Sequence, residues 1–378
     1  MNYFDHAATT PMRPEVLEAM TPYFLEQYGN PSSIHGVGRK ARAALDASRR
    51  TLATWIGATP NEIVFTSGGT ESDNYALFGA AYANRHKGKH VITTKVEHHA
   101  VLHAMGQLER EGFDVTYLDV DESGAVSVAA LKDALRDDTI LVSVMYGNNE
   151  VGTLQPIADI GMLLAGRDTL FHTDAVQVLG TEAIDVHALG VDLLSASAHK
   201  VNGPKGIGFL FIKTGVKLAT RSFGGQQERK RRAGTENVPG AVGFSRAAEL
   251  VIAERNERVT AYREMADTLL HTLDELGVEY EVNGANRLPH IVNLYLPGIE
   301  LEPFLIMMDM RGYAISSGSA CTAGTIEPSH VLTAMYGQSD RTKQSVRISF
   351  GLGNTVDDVT RLAERLHEVV STFMNGVR

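Results

Sequence analysis

The sequence predicts an α/β fold built on a large, mostly parallel sheet, with a smaller α+β part after it. Three observations point there. Short apolar runs rich in β-branched residues alternate with amphipathic stretches, the pattern of a sheet covered by helices. Many of those runs end in polar residues, where open parallel sheets bind ligands. Near residue 250 the alternation stops, and a long charged helical stretch leads into two strand-like runs and a last helix.

In chain order, RPEVLEAMTPYFLEQY (13–28) and GRKARAALDASRRTLATWIG (38–57) carry apolar residues at helical spacing. Residues 62–86 read as strand, turn and helix, and residues 90–112 repeat that unit. DVTYLD is a strand and VSVAALKDALRDD a helix. TILVSVMYGNNEVG (139–152), TLFHTDAVQ (169–177), DLLSASAHK (192–200) and GIGFLFIK (206–213) read as buried strands. ERNERVTAYREMADTLLHTLDELG reads as a solvated helical connector, followed by strands in IVNLYLP and SVRISF and a helix near VDDVTRLAERLHEVV. The expected division is a large unit over 14–253 and a small one formed by 1–13 plus 254–378. Trp55 and the methionines read as core filler.

Composition narrows the function. The 378 residues are 43% hydrophobic and 21% charged, ordinary for a globular protein. A net charge of -10 disfavours sequence-independent nucleic-acid binding, which needs many cations against phosphate. One cysteine forms no intramolecular disulfide and no cysteine zinc site, which fits a reducing compartment. No apolar run approaches ~20 residues, and MNYFDHAATTP lacks the basic and apolar regions of a signal peptide. A cytoplasmic protein is expected.

Several strand ends carry chemistry. Lys200, in SASAHK, can form a Schiff base with an aldehyde cofactor, or be an ordinary solvated lysine. Asp174, in HTDAVQ with Gln177, can pair with a protonated pyridine nitrogen, or cap a helix. SGGTESDN (67–74) offers helix N-terminal amides and a hydroxyl for a phosphate, or an ordinary turn with a capping box between Thr70 and Asp73. It lacks the lysine of a nucleotide P-loop. In EHHAV, His98 can stack on a ring and move protons. His99 and His103 have the spacing of a metal pair, but the glutamate of the HExxH pattern is absent and no metal is expected. NNE (148–150) supplies amides, and Thr235 in RAGTEN another hydroxyl. The run from Arg229 to Arg232 reads as a solvated face. Together these residues suit pyridoxal phosphate. The remaining feature is SSGSACTAG (316–324), where the only cysteine, Cys321, sits among small residues with Gly318 and Gly324 as candidate hinges.

With these residues in hand, the chain resembles the cysteine desulfurases of the class-V aminotransferase group, pyridoxal-phosphate enzymes of fold type I. The resemblance covers nearly the whole chain. It runs from YFDHAATTP and NPSSIHG through FTSGGTESDN, VEHHAV, NNEVG, HTDAVQ, SAHK, GPKGIG and RAGTEN to SSGSACTAG and VRISFG. It implies Lys200 as the Schiff-base lysine, Asp174 on the pyridine nitrogen, Gln177 on the phenolic oxygen and His98 stacked on the ring. Gly69, Thr70, Ser197 and His199 would hold the phosphate. Thr235 would reach the phosphate of a neighbouring subunit, so a homodimer is implied. Asn149 would touch cofactor and substrate, and Arg347 would take the substrate carboxylate. Cys321 would remove sulfur from L-cysteine as a persulfide, leaving alanine, and could transiently ligate an iron–sulfur cluster. The chain stops soon after its last helix, at FMNGVR, where some bacterial members carry a longer tail. The implied sulfur acceptor is an iron–sulfur scaffold or a tRNA-thiolating enzyme. A selenocysteine lyase, a small-amino-acid aminotransferase and a non-enzymatic sulfur carrier are the rival readings. His6 and His35 receive no role from sequence.

Overall fold

The computed structural model describes residues 1–318, 321–322 and 325–376. Its centre is a seven-stranded sheet in the spatial order Ile63–Thr66, Gly208–Ile212, Leu193–Ser197, Leu170–Asp174, Thr139–Ser143, His90–Thr94, Asp114–Leu118. Neighbours from Leu193–Ser197 to Asp114–Leu118 are parallel. Gly208–Ile212 alone runs against both its neighbours. The physical reason is the short connection through VNGPKG: a parallel return needs about a dozen residues or more, usually with a helix. Gly208 also has to be glycine, because a Cβ there would stand 2.4 Å from the Ala196 carbonyl and 2.7 Å from the Cα of Gly68.

Helices cover both faces, so five of the strands are buried along their whole length. Side-chain alternation sorts the apolar residues. Phe65, Leu194, Phe209 and Phe211 join one core with Leu45 and Leu52 of helix Gly36–Trp55. Val64, Leu193 and Leu210 join the other, with Leu77 of helix Gly69–Asn84 and Met105 of helix His99–Arg110. A separate antiparallel sheet, Ser345–Ser349, Ile291–Tyr295 and Glu281–Asn283, has its own core around Phe304, Leu294, Ile348 and Leu362. Phe4 packs into that second core, and Asn2–Tyr3 pairs with Tyr313–Ala314.

Three sequence expectations are corrected. Residues 13–28 form two short helices, Pro14–Met20 and Pro22–Leu25, because Pro22 has no N–H to continue the ladder. The stretch expected as a solvated connector belongs to one 38-residue helix, Val238–Glu275. Its first half buries Phe244 and Val251 in the large core, and its second half buries Met265, Leu269 and Leu273 in the small one. Thr70 makes no capping box. Gly68 is the N-cap of helix Gly69–Asn84, without a side-chain cap bond, and Asp73 is buried inside the protein.

Candidate active site

The carboxyl ends of the parallel strands converge on a cavity of about 370 Å3. Ten of the residues singled out from sequence line it: Gly69, Thr70, His98, Asn149, Asp174, Gln177, Ser197, His199, Lys200 and Arg347. Each is placed by a local element. Asp174 and Ser197 are the last residues of their strands, and Lys200 ends the 3-10 turn Ala198–Lys200 that follows Ser197. Gly69 opens a helix directly after strand Ile63–Thr66. His98 caps helix His99–Arg110, its Nδ1 accepting from the Ala100 N–H at 3.1 Å. Arg347 lies mid-strand in the second sheet and reaches across, its Nη1 donating to the Asn149 carbonyl at 2.7 Å.

The electrostatics are those of a polar pocket in which burial discourages charge. The Lys200 ammonium donates to the carbonyls of Ala7 and, at 2.8 Å, Ala8. Burial discourages its charge, as does Arg347, against the attraction of Asp174, and its pKa falls to about 8. Asp174 accepts from the Val176 N–H at 2.9 Å, and burial pushes its carboxyl up to about 6. Beneath it Asp73 is pushed up as well, by burial and by Asp174 itself. The protein packed around His98, and then Lys200, hold its imidazole down to about 4, so the ring is neutral at physiological pH. Gln177 donates to the Ala7 carbonyl at 2.9 Å, and His199 Nδ1 meets Thr9 Oγ1 at 3.1 Å. Arg347 is clamped by Asp5 at 2.7 Å. Its buried Nε has no hydrogen-bond partner among the described residues, leaving a donor beside the cavity.

These residues fit pyridoxal phosphate. A buried carboxylate with one backbone donor suits a cationic ring nitrogen. The open first turn of helix Gly69–Asn84, with the Ser197 hydroxyl 3.6 Å from where a Cβ on Gly68 would stand, suits a phosphate. Lys200 lines the same cavity.

Two named residues are not in the lining. Thr235 is exposed, outside the cavity, ahead of helix Val238–Glu275. Cys321 begins the two-residue strand Cys321–Thr322, paired with Thr325–Ile326, and Gly324 lies outside the described residues. Gly318 and Ser316, on the approach to Cys321, do line the cavity. His6 is buried beneath Gly351 and His35 caps helix Gly36–Trp55. Sequence reasoning missed Asp5, Asp73 and Glu150. Each lies inside a motif already quoted, but its part depends on a partner far away in the chain. The expected solvated basic run is only partly so: Arg232 pairs with Glu71 at 2.8 Å.

The chain matches known proteins along nearly its whole length. The family described as Aminotransferase class-V matches residues 2–362. A Bacillus subtilis (strain 168) protein with a provisional cysteine desulfurase IscS assignment is 57% identical over 97% of this chain and 98% of its own. The cysteine desulfurase IscS of Methanosarcina thermophila is 49% identical over 99% of this chain and 93% of its own. A solved NifS-like protein superposes with a TM-score of 0.92 at 36% identity, covering 98% of this chain and 99% of that one. A structure described as SspA in complex with cysteine superposes with 0.82 at 37% identity, over 93% and 99%. The chain belongs to the class-V aminotransferase family, among its pyridoxal-phosphate-dependent cysteine desulfurases.

Proposed function

We propose that this enzyme takes the sulfur of L-cysteine onto Cys321 and releases L-alanine. The observation that carries the reading is the convergence of Lys200, Asp174 and Arg347 on one cavity lined also by Gly318, three residues before the only cysteine in the sequence. Bound pyridoxal phosphate supplies an electron sink for the substrate carbons. Asp174 would keep the ring nitrogen protonated, Gln177 would bond the phenolic oxygen, and Gly69, Thr70, Ser197 and His199 would hold the phosphate. Arg347 binds the substrate carboxylate, with Asn149 beside it. Lys200 would take the α-proton, and His98 would stack on the ring and move protons at its Nε2, which has no hydrogen-bond partner among the described residues. The Cys321 thiolate attacks the substrate sulfur. The sulfur–carbon bond breaks, a sulfur–sulfur bond forms, and the carbon keeps the electron pair and is protonated. Cysteine and a thiol thus become alanine and a persulfide, with no outside oxidant.

The persulfide then passes to an acceptor protein for iron–sulfur cluster assembly or tRNA thiolation, in the cytoplasm. A homodimer is part of the reading, with Thr235 serving the partner's phosphate. It is supported by the exposed apolar side chains Leu25, Tyr28, Ile34 and Phe223, and by a groove joining Ser32 to Gln226 and Gln227. Among the described residues no helix is long and apolar enough to cross a membrane. The core around Phe304 and Leu294 draws on residues 4 and 262–370, which supports a division into a unit over 14–253 and one over 1–13 plus 254–378.

Supplying L-cysteine and reductant and measuring both products tests this reading. Equal alanine and sulfide are expected from wild type, and neither from Lys200→Ala or Cys321→Ala. Full turnover by Cys321→Ala would favour a direct lyase.

A further inference from the structure

Glu150 follows the substrate-side Asn149, lines the cavity and is 2% exposed. A carboxylate that deep is costly unless its oxygens are used. Its main chain is fixed: the N–H donates to Asn148 Oδ1 at 2.8 Å and the carbonyl accepts from Asn293 at 3.1 Å. Its side chain faces two distant pieces of chain. Oε2 accepts from the Ser329 hydroxyl at 2.5 Å, and Oε1 lies 3.9 Å from His330 Nδ1. On the other side is Gly318, at φ +86°, where a Cβ would come within 3.3 Å of the Glu150 Cβ, Cγ and Oε2. Position 318 therefore needs glycine twice over, for its backbone and for the approach to Glu150. One side chain touches the chain on both flanks of Cys321.

The N-terminal flank is also tied to substrate binding. Ser316 exchanges backbone hydrogen bonds with Arg347 at 2.6 and 3.1 Å, and Arg347 donates to the carbonyl of Asn149, the residue before Glu150. We propose that Glu150 is a positioning residue: it fixes the two ends of the segment bearing Cys321 against the strand that carries Arg347. The proposal rests on Cys321 being the sulfur acceptor.

The test uses the holoenzyme and exploits the single thiol, whose alkylation by iodoacetamide reports on Cys321 alone. Glu150→Ala, Glu150→Gln, Ser329→Ala and the double variant Glu150→Ala/Ser329→Ala are compared with wild type. All are expected to keep the yellow bound cofactor, which also establishes folding. Glu150→Ala and Ser329→Ala should lower kcat by about tenfold, ~1.4 kcal/mol on the barrier, and change the alkylation rate several-fold, with KM moving little. Glu150→Gln keeps an oxygen for the Ser329 hydroxyl and should recover most of both. The double variant should be no worse than Glu150→Ala, since the two groups act through one contact. Unchanged alkylation in Glu150→Ala, a rise in KM at constant kcat, or additive losses would overturn the proposal. Turnover retained in Cys321→Ala would instead overturn the reading beneath it, while alkylation would still report whether Glu150 fixes the segment.

Discussion

Lys200 meets its cofactor with its charge already discouraged. An ordinary lysine has a pKa near 10.4; here burial and Arg347 lower it to about 8. The neutral amine is the form that attacks an aldehyde. The rate of cofactor uptake by the apoenzyme, followed by its yellow colour, should therefore rise with pH and level off above about 8. A rate still climbing toward pH 10 would contradict this. Asp174 runs the opposite way: burial raises its carboxyl to about 6, and a cationic ring nitrogen beside it would lower it again and favour the carboxylate. Asp174→Asn keeps the shape and loses the charge. A charged hydrogen bond contributes ~1.5–3 kcal/mol, so pyridoxal phosphate should bind roughly 10- to 100-fold more weakly, measured by equilibrium titration. The convergence of the cavity-lining residues was largely legible in sequence, because most sit in short motifs that follow a strand, while Thr235 does not join them. Glu150 and Asp5 were not legible. Their partners, Ser329 and Arg347, lie 179 and 342 residues away, and no local pattern encodes such a meeting.

At the scale of elements, the turn around Glu228 is the most strained described. Glu228, Arg229 and Lys230 all have positive φ, at 45°, 58° and 66°. Left-handed geometry costs roughly 1–2 kcal/mol for each such residue. What holds it is a buried pair: the Glu228 carboxylate accepts two bonds from Arg49 at 2.6 Å and one from the Phe65 N–H at 3.0 Å. Glu228→Ala leaves the Arg49 guanidinium buried without its partner. A loss of about 3–5 kcal/mol is expected in denaturant unfolding. The segment between this turn and helix Val238–Glu275 carries Thr235, so the pair also sets where Thr235 stands. Sequence showed the basic run here but not the turn, because strain paid for by a distant ion pair leaves no local signature. The central parallel strands were legible, since residues buried on both faces read as plain apolar runs, while the edge strand Asp114–Leu118 is mostly part-exposed. The long helix was misread because its charged outer face hides a narrow apolar stripe.

For the whole molecule, the exposed position of Thr235 and the exposed apolar side chains of the dimer reading predict complementation. Lys200→Ala and Thr235→Ala chains, each impaired alone, should regain activity when refolded together. In the mixed dimer one site has its own Lys200 and receives Thr235 from the partner. Failure to complement, with dimers seen by sedimentation, would place Thr235 outside the neighbouring site. The proposed reaction depends on where the sulfur goes first. Intact-mass spectrometry of the holoenzyme after brief exposure to L-cysteine without reductant decides that. A gain of one sulfur atom, mapped to Cys321 and absent in Lys200→Ala, is the predicted result. Alanine formed at full rate with no added sulfur on Cys321 would contradict the account.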